Sequence, residues 1–129
     1  MTRNRDIGNF GSEAAIIATE GVNFYKTYSL PSTVSVADGT KRFYLFDAAT
    51  LTNINAYAGT APAGASLNLR INKNGSSAET ISISDGSTSS TNTASTSFAQ
   101  GDYVTVDVTQ VGSSTAGSDV KVNFIFRKT

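Results

Sequence analysis

The stretch Asp102-Tyr103-Val104-Thr105-Val106-Asp107-Val108-Thr109 decides the fold class. In an extended strand successive side chains point to opposite faces, so this spacing puts Val104, Val106 and Val108 on a core face. Tyr103, Thr105 and Asp107 then fall on the other side, which reads as the wet one. A half-buried strand of this kind needs partners, and the surrounding sequence supplies them.

Downstream, Val120, Val122, Phe124 and Phe126 alternate with Lys121, Asn123 and Ile125, giving the heaviest apolar strand of the chain. Upstream, Leu67, Leu69 and Ile71 alternate with Asn68, Arg70 and Asn72, and the run meets Asn74-Gly75. That dipeptide tolerates the positive φ angles of a tight hairpin turn, so a partner strand is expected at Thr80 to Ser84 with Ile81 and Ile83 inward. Asp85-Gly86 offers a second turn and opens Ser87 to Ser97, which reads as a loop or a polar edge strand. Phe43 to Phe46 and Leu51 to Tyr57 are further strands, with Asp38-Gly39 and the Pro62-containing segment Gly59 to Gly64 as turns. No segment carries a helical period of helix length, which disfavours βαβ architectures. About seven or eight strands make two packed sheets, and the expected fold is an all-β, jelly-roll-like antiparallel β-sandwich.

Composition agrees with this. The chain of 129 residues is 39% hydrophobic and 16% charged, with ten basic and ten acidic residues, so it has no net charge to draw it to nucleic acid or anionic lipid. About a quarter of the residues are Ser or Thr, which suits strands with polar outer faces. There is no cysteine, hence no disulfide framework and no thiolate chemistry. The start of the chain is polar and charged, unlike a secretory leader, and the longest clean apolar run is only Ala14 to Ala18. The expectation is a soluble protein made in the cytoplasm, with neither nucleic acid nor membrane as partner.

Catalysis has little to work with. Without histidine, proton transfer at neutral pH falls to Asp, Glu, Lys or Tyr, and the three glutamates Glu13, Glu20 and Glu79 sit where solvated charges are expected. Asp38, Asp85, Asp102 and Asp119 stand at turns or strand edges, where a carboxylate either ligates calcium or caps a backbone amide; the spacing matches no EF-hand, and capping is preferred. Gly-containing segments lead from strand to strand and not into a helix, so no phosphate-binding loop is expected. Tyr25, Tyr28, Tyr44, Tyr57 and Tyr103 could stack on sugars, though packing is their commoner use. The reading is of a non-enzyme with no catalytic residues, no metal and no cofactor.

Residues 1–21 read as an N-terminal arm and residues 22–129 as the sandwich. Arg3, Arg5 and Asp6 can form charge-assisted hydrogen bonds, and Ile7 and Phe10, with Ile16 and Ile17, are apolar residues for which a solvated tail has little use. Arg3, Arg5, Asp6, Ile7 and Phe10 are therefore the candidate interface residues.

Two segments carry a resemblance: Thr60-Ala61-Pro62-Ala63-Gly64-Ala65-Ser66 through Ile71-Asn72-Lys73-Asn74-Gly75, and Phe98 through Gly101-Asp102 and Val111-Gly112 to Ala116-Gly117-Ser118-Asp119-Val120. In this order they resemble a β-sandwich module of tailed-bacteriophage virion proteins. Thr2-Arg3-Asn4-Arg5-Asp6-Ile7 is similar to a segment that often precedes domains in phage tail fibres. The resemblance covers about two-thirds of the chain and names no catalytic residue. It implies a virion location and a structural role. A small domain running from Met1 to Thr129 suits a capsid decoration, or cement, protein that forms a homotrimer on the major capsid protein. The alternative it implies is a tail-fibre head or a module binding a host surface glycan.

Overall fold

The computed structural model describes residues 21–129. They form eight strands: β1 (Asn23–Thr33), β2 (Phe43–Tyr44), β3 (Ala49–Thr60), β4 (Leu67–Lys73), β5 (Ser76–Ile83), β6 (Ser89–Phe98), β7 (Tyr103–Gln110) and β8 (Ser118–Lys128). Among the described residues there is no helix.

The topology follows from one turn. Asn74 and Gly75 adopt φ of 52° and 87°, reversing the chain between β4 and β5. Outward from that tip the chain behaves as one long antiparallel hairpin: β4 pairs with β5, β3 with β6, β2 with β7 and β1 with β8. Rolling this hairpin up adds β3·β8 and β4·β7 and gives two four-stranded sheets, β1-β8-β3-β6 and β2-β7-β4-β5. Eight strands in this nested order are a jelly roll.

The core lies between the sheets. Val120, Val122, Phe124 and Phe126 of β8 face Val104 and Val106 of β7 and Leu67, Leu69 and Ile71 of β4, all essentially solvent-free. At one end Phe126 gathers Phe24, Phe43, Phe98 and Phe124 within 6.4 Å between ring centroids, tying strands of both sheets together. In β3 a bulge at Thr52 switches the inward register: Ala49 and Leu51 precede it and Ile54, Ala56 and Ala58 follow it, all buried. The Thr52 hydroxyl donates to the Ile125 carbonyl at 3.1 Å, occupying the bulge.

Several expectations need correcting. The wet face of β7 is not wet, because Thr105 and Asp107 are buried beneath neighbours described below. Asp38-Gly39 is not a turn; it belongs to an extended connector running beside β7, with Ala37 bridged to Val108. Of Phe43 to Phe46 only Phe43 and Tyr44 pair as strand. Asp85-Gly86 does turn the chain, through a Ser87 amide donating to the Ser84 carbonyl, but it carries the chain from one sheet to the other instead of closing a hairpin. Ser87 to Ser97 resolves as the edge strand β6, and β1 is a full strand that the alternation pattern did not single out.

The edges are covered. Glu79 of β5 accepts from the Thr96 hydroxyl of β6 at 2.7 Å, and the Asn92 amide of β6 donates to the Thr80 carbonyl, closing the open side between the sheets. On the opposite side the Tyr28 hydroxyl donates to the Lys41 carbonyl, and the Lys41 ammonium donates to the Ser29 carbonyl.

Candidate functional site

The first candidate is a polar groove on the outer face of the β2-β7-β4-β5 sheet. Register sets its floor: Arg70 stands opposite Asp107, and Asn72 opposite Thr105, across the β4·β7 ladder. Asp107 is 5% exposed and accepts four hydrogen bonds. Its Oδ1 receives the Gly39 amide at 2.7 Å; its Oδ2 receives Arg70 Nε at 3.0 Å, Arg70 Nη2 at 2.7 Å and Asn72 Nδ2 at 2.9 Å. Asn72 Nδ2 also donates to the Thr105 hydroxyl at 3.1 Å. Burial pushes the Asp107 carboxyl up, but the bonds from Asn72, the Gly39 amide and Arg70 outweigh it and hold it below the usual carboxylate range.

The connector from β1 to β2 closes one side of this floor. Gly39 lies so close to β7 that a Cβ there would collide with the Val106 backbone, which is why only glycine fits. Beyond it, the Arg42 guanidinium sits 4.1 Å from the centroid of the Tyr103 ring and donates to the Tyr44 hydroxyl at 3.3 Å. The resulting groove encloses about 670 Å³ and is lined by Asp38, Arg42, Arg70, Asn72, Ser77 and Tyr103, among others. The Asp38 side chain is 91% exposed and 3.9 Å from Arg70 Nη2. Two guanidiniums and two carboxylates thus share the groove.

The second candidate is the outer face of the β1-β8-β3-β6 sheet. Its registers line up two central rows, Tyr25-Ile125-Asn53-Thr93 and Thr27-Asn123-Asn55-Thr91, neither of which carries a charge. Tyr25 is 66% exposed, and Tyr57 in the next row is also exposed. The Thr27 hydroxyl donates to Asn123 Oδ1 at 2.9 Å, so this row is ordered among its own side chains.

The sequence-predicted interface residues Arg3, Arg5, Asp6, Ile7 and Phe10 lie outside the described residues, as do Glu13 and Glu20. The described residues begin at Gly21, whose amide donates to the Lys128 carbonyl at 2.7 Å. Three of the four turn aspartates accept backbone amides: Asp85 from Gly64, Asp102 from Ala99 and Asp119 from Ser32. Among the described residues Asp38 accepts no backbone amide, and it faces the groove. Among the described residues no three acidic side chains converge as a metal site. Of the tyrosines, Tyr28 is a core residue, whereas Tyr25, Tyr44 and Tyr57 are exposed. The groove residues Arg70, Asn72 and Asp107 were missed by sequence reasoning. The available signal was an aspartate set among the valines of an evident core strand, with an arginine in the parallel alternation of β4.

No protein-family model matches this chain, and no curated protein matches it. Among solved structures it is similar to the globular domain of zebrafish complement 1qA protein, at 12% identity over 81% of this chain and 94% of that one, with a TM-score of 0.47.

Proposed function

We propose that this chain is a non-catalytic structural protein of a tailed-bacteriophage virion, a capsid decoration protein that forms a homotrimer and reinforces the shell formed by the major capsid protein. The observation that carries the self-association is the pair of uncharged central rows on the outer face of the β1-β8-β3-β6 sheet, flanked by Lys121 and Arg127. Interface centres are depleted of charge and enriched in aromatic residues; neither central row carries a charge, and Tyr25 supplies an exposed aromatic ring. The virion location is supported by the sequence resemblance, and the jelly-roll fold is one that capsid proteins use. In this reading the arm, with Arg3, Arg5, Asp6, Ile7 and Phe10, extends over the capsid protein or a neighbouring copy. Binding only the assembled shell stabilises that state by mass action, and many weak copies act together.

The test has three arms. Quantitative mass spectrometry of purified particles should give a copy number close to that of the major capsid protein; far fewer copies would move the assignment to a tail fibre. Sedimentation equilibrium should show a trimer that Asn55→Glu with Ile125→Glu reduces to monomer, while a monomeric wild type would reject the interface. Deleting residues 1–20 should weaken particle binding and leave the sandwich folded, and undiminished binding would remove the arm from the mechanism.

A further inference from the structure

The geometry points to the groove on the β2-β7-β4-β5 sheet as a binding site for a neutral saccharide, independent of whether the chain sits on a capsid or a tail. The floor is rigid. Asp107 is saturated by the Gly39 amide, Asn72 and the two Arg70 nitrogens, so Arg70 and Asn72 are held in place from beneath. A buried carboxylate with its partners is a costly way to stabilise a sheet face, since apolar residues of similar size do as well or better. Its structural effect is to aim the unused atoms of Arg70 and Asn72 at the groove.

Those unused atoms define the ligand. Among the described residues, Arg70 Nη1 and Asn72 Oδ1 take no hydrogen bond, and neither does the Tyr103 hydroxyl. Arg42, Ser77 and the exposed Asp38 carboxylate complete the lining. Donors and acceptors are therefore mixed within one small surface, which suits vicinal hydroxyls because each both donates and accepts. Charge argues against an ion: Asp107 and Asp38 lie 2.7 Å and 3.9 Å from Arg70 Nη2, and with Arg42 the groove carries two charges of each sign, so neither an anion nor a cation is favoured. Tyr44, 54% exposed and with its ring 5.7 Å from that of Tyr103, stands beside the groove as a flat surface on which a sugar ring can pack. A volume of about 670 Å³ lies in the range of small-ligand sites.

The test is a chemical-shift titration of the full chain with glucose, galactose, mannose and N-acetylglucosamine and their disaccharides, alongside sialic acid and inorganic phosphate. At least one neutral sugar should give saturable shifts that map to residues 38–42, 72, 77 and 103. Asp38→Ala with Arg42→Ala should weaken that binding by about tenfold or more, as expected for the loss of two hydrogen-bonding groups, with an unchanged melting temperature. Both substituted side chains lie outside the core, so the pair tests binding and not folding. Three results would overturn the proposal: no saturable response to any neutral sugar, a response to sialic acid or phosphate alone, or shifts confined to the β1-β8-β3-β6 face. If the double variant loses sugar binding but still trimerises, the two surfaces are functionally separate.

Discussion

Asp107 combines burial with four accepted hydrogen bonds, so the single-residue consequences are sharpest there. Asp107→Ala leaves the Gly39 amide and Asn72 without their acceptor and should cost about 2–4 kcal/mol in denaturant unfolding. Its carboxyl is depressed in the folded chain, as are those of Asp47, hydrogen-bonded to Lys128, and Asp102, hydrogen-bonded to Asn74. A depressed carboxyl contributes stability that is present above its unfolded pKa and lost as pH falls through the folded value. Stability should therefore hold nearly level from pH 8 to about 5, since the chain has no histidine to titrate there, and fall below about pH 4. In Asp107→Asn the acid-side slope should be shallower by up to one proton, as measured by urea unfolding at stepped pH. Phe126 is the other critical residue. Phe126→Ala removes the ring against which Phe24, Phe43, Phe98 and Phe124 pack and should cost about 3–5 kcal/mol, again read from denaturant midpoints.

At the scale of elements, legibility tracked how far each strand's environment was two-sided. β7 and β8 declared themselves because one face of each is uniformly apolar, and Asn74-Gly75 because its backbone angles demand those residues. β1 was obscured because Lys26 occupies an inward position at the sheet edge, its ammonium 5.3 Å from the Phe46 ring centroid, where the apolar alternation expects a hydrophobic residue. In β3 the bulge at Thr52 moves the buried set from odd to even positions, a shift that a strict period of two cannot represent. The groove was illegible for a different reason. Nothing local in the sequence places Gly39 beside Val106 or makes the outward side of β7 dry; that requires the β1–β2 connector to come back across the sheet edge. Gly39→Ala should lift this connector off β7, breaking the Gly39–Asp107 hydrogen bond. We expect a loss of about 2 kcal/mol or more, with amide-exchange protection lost first at residues 37–39.

For the whole molecule, the nested pairing means that most contacts join residues distant in sequence. Loop closure is therefore the main obstacle to folding, and refolding should take milliseconds to seconds despite the absence of disulfides and of cis peptide bonds among the described residues. The two candidate surfaces lie on opposite sheets, so a copy that associates through the β1-β8-β3-β6 face keeps the Arg42–Arg70 groove open to solvent. On a decorated particle of the kind proposed, that arrangement would present many identical grooves, and weak single-site binding would become strong adhesion.

The place of β8 has a consequence for how the protein is made. β8 lies between β1 and β3 in its sheet, yet ribosomes deliver it after the other seven strands. Until residues 118–128 clear the exit tunnel, β1 and β3 present open hydrogen-bonding edges and the core lacks Val120, Val122, Phe124 and Phe126. Nascent chains stalled before residue 118 should be protease-sensitive and should recruit chaperones, and those in which residues 118–128 have cleared the tunnel should become resistant in a single step. Folding of the sandwich is thus deferred until β8 has emerged, and the yield of intact protein depends on shielding the first seven strands during that interval.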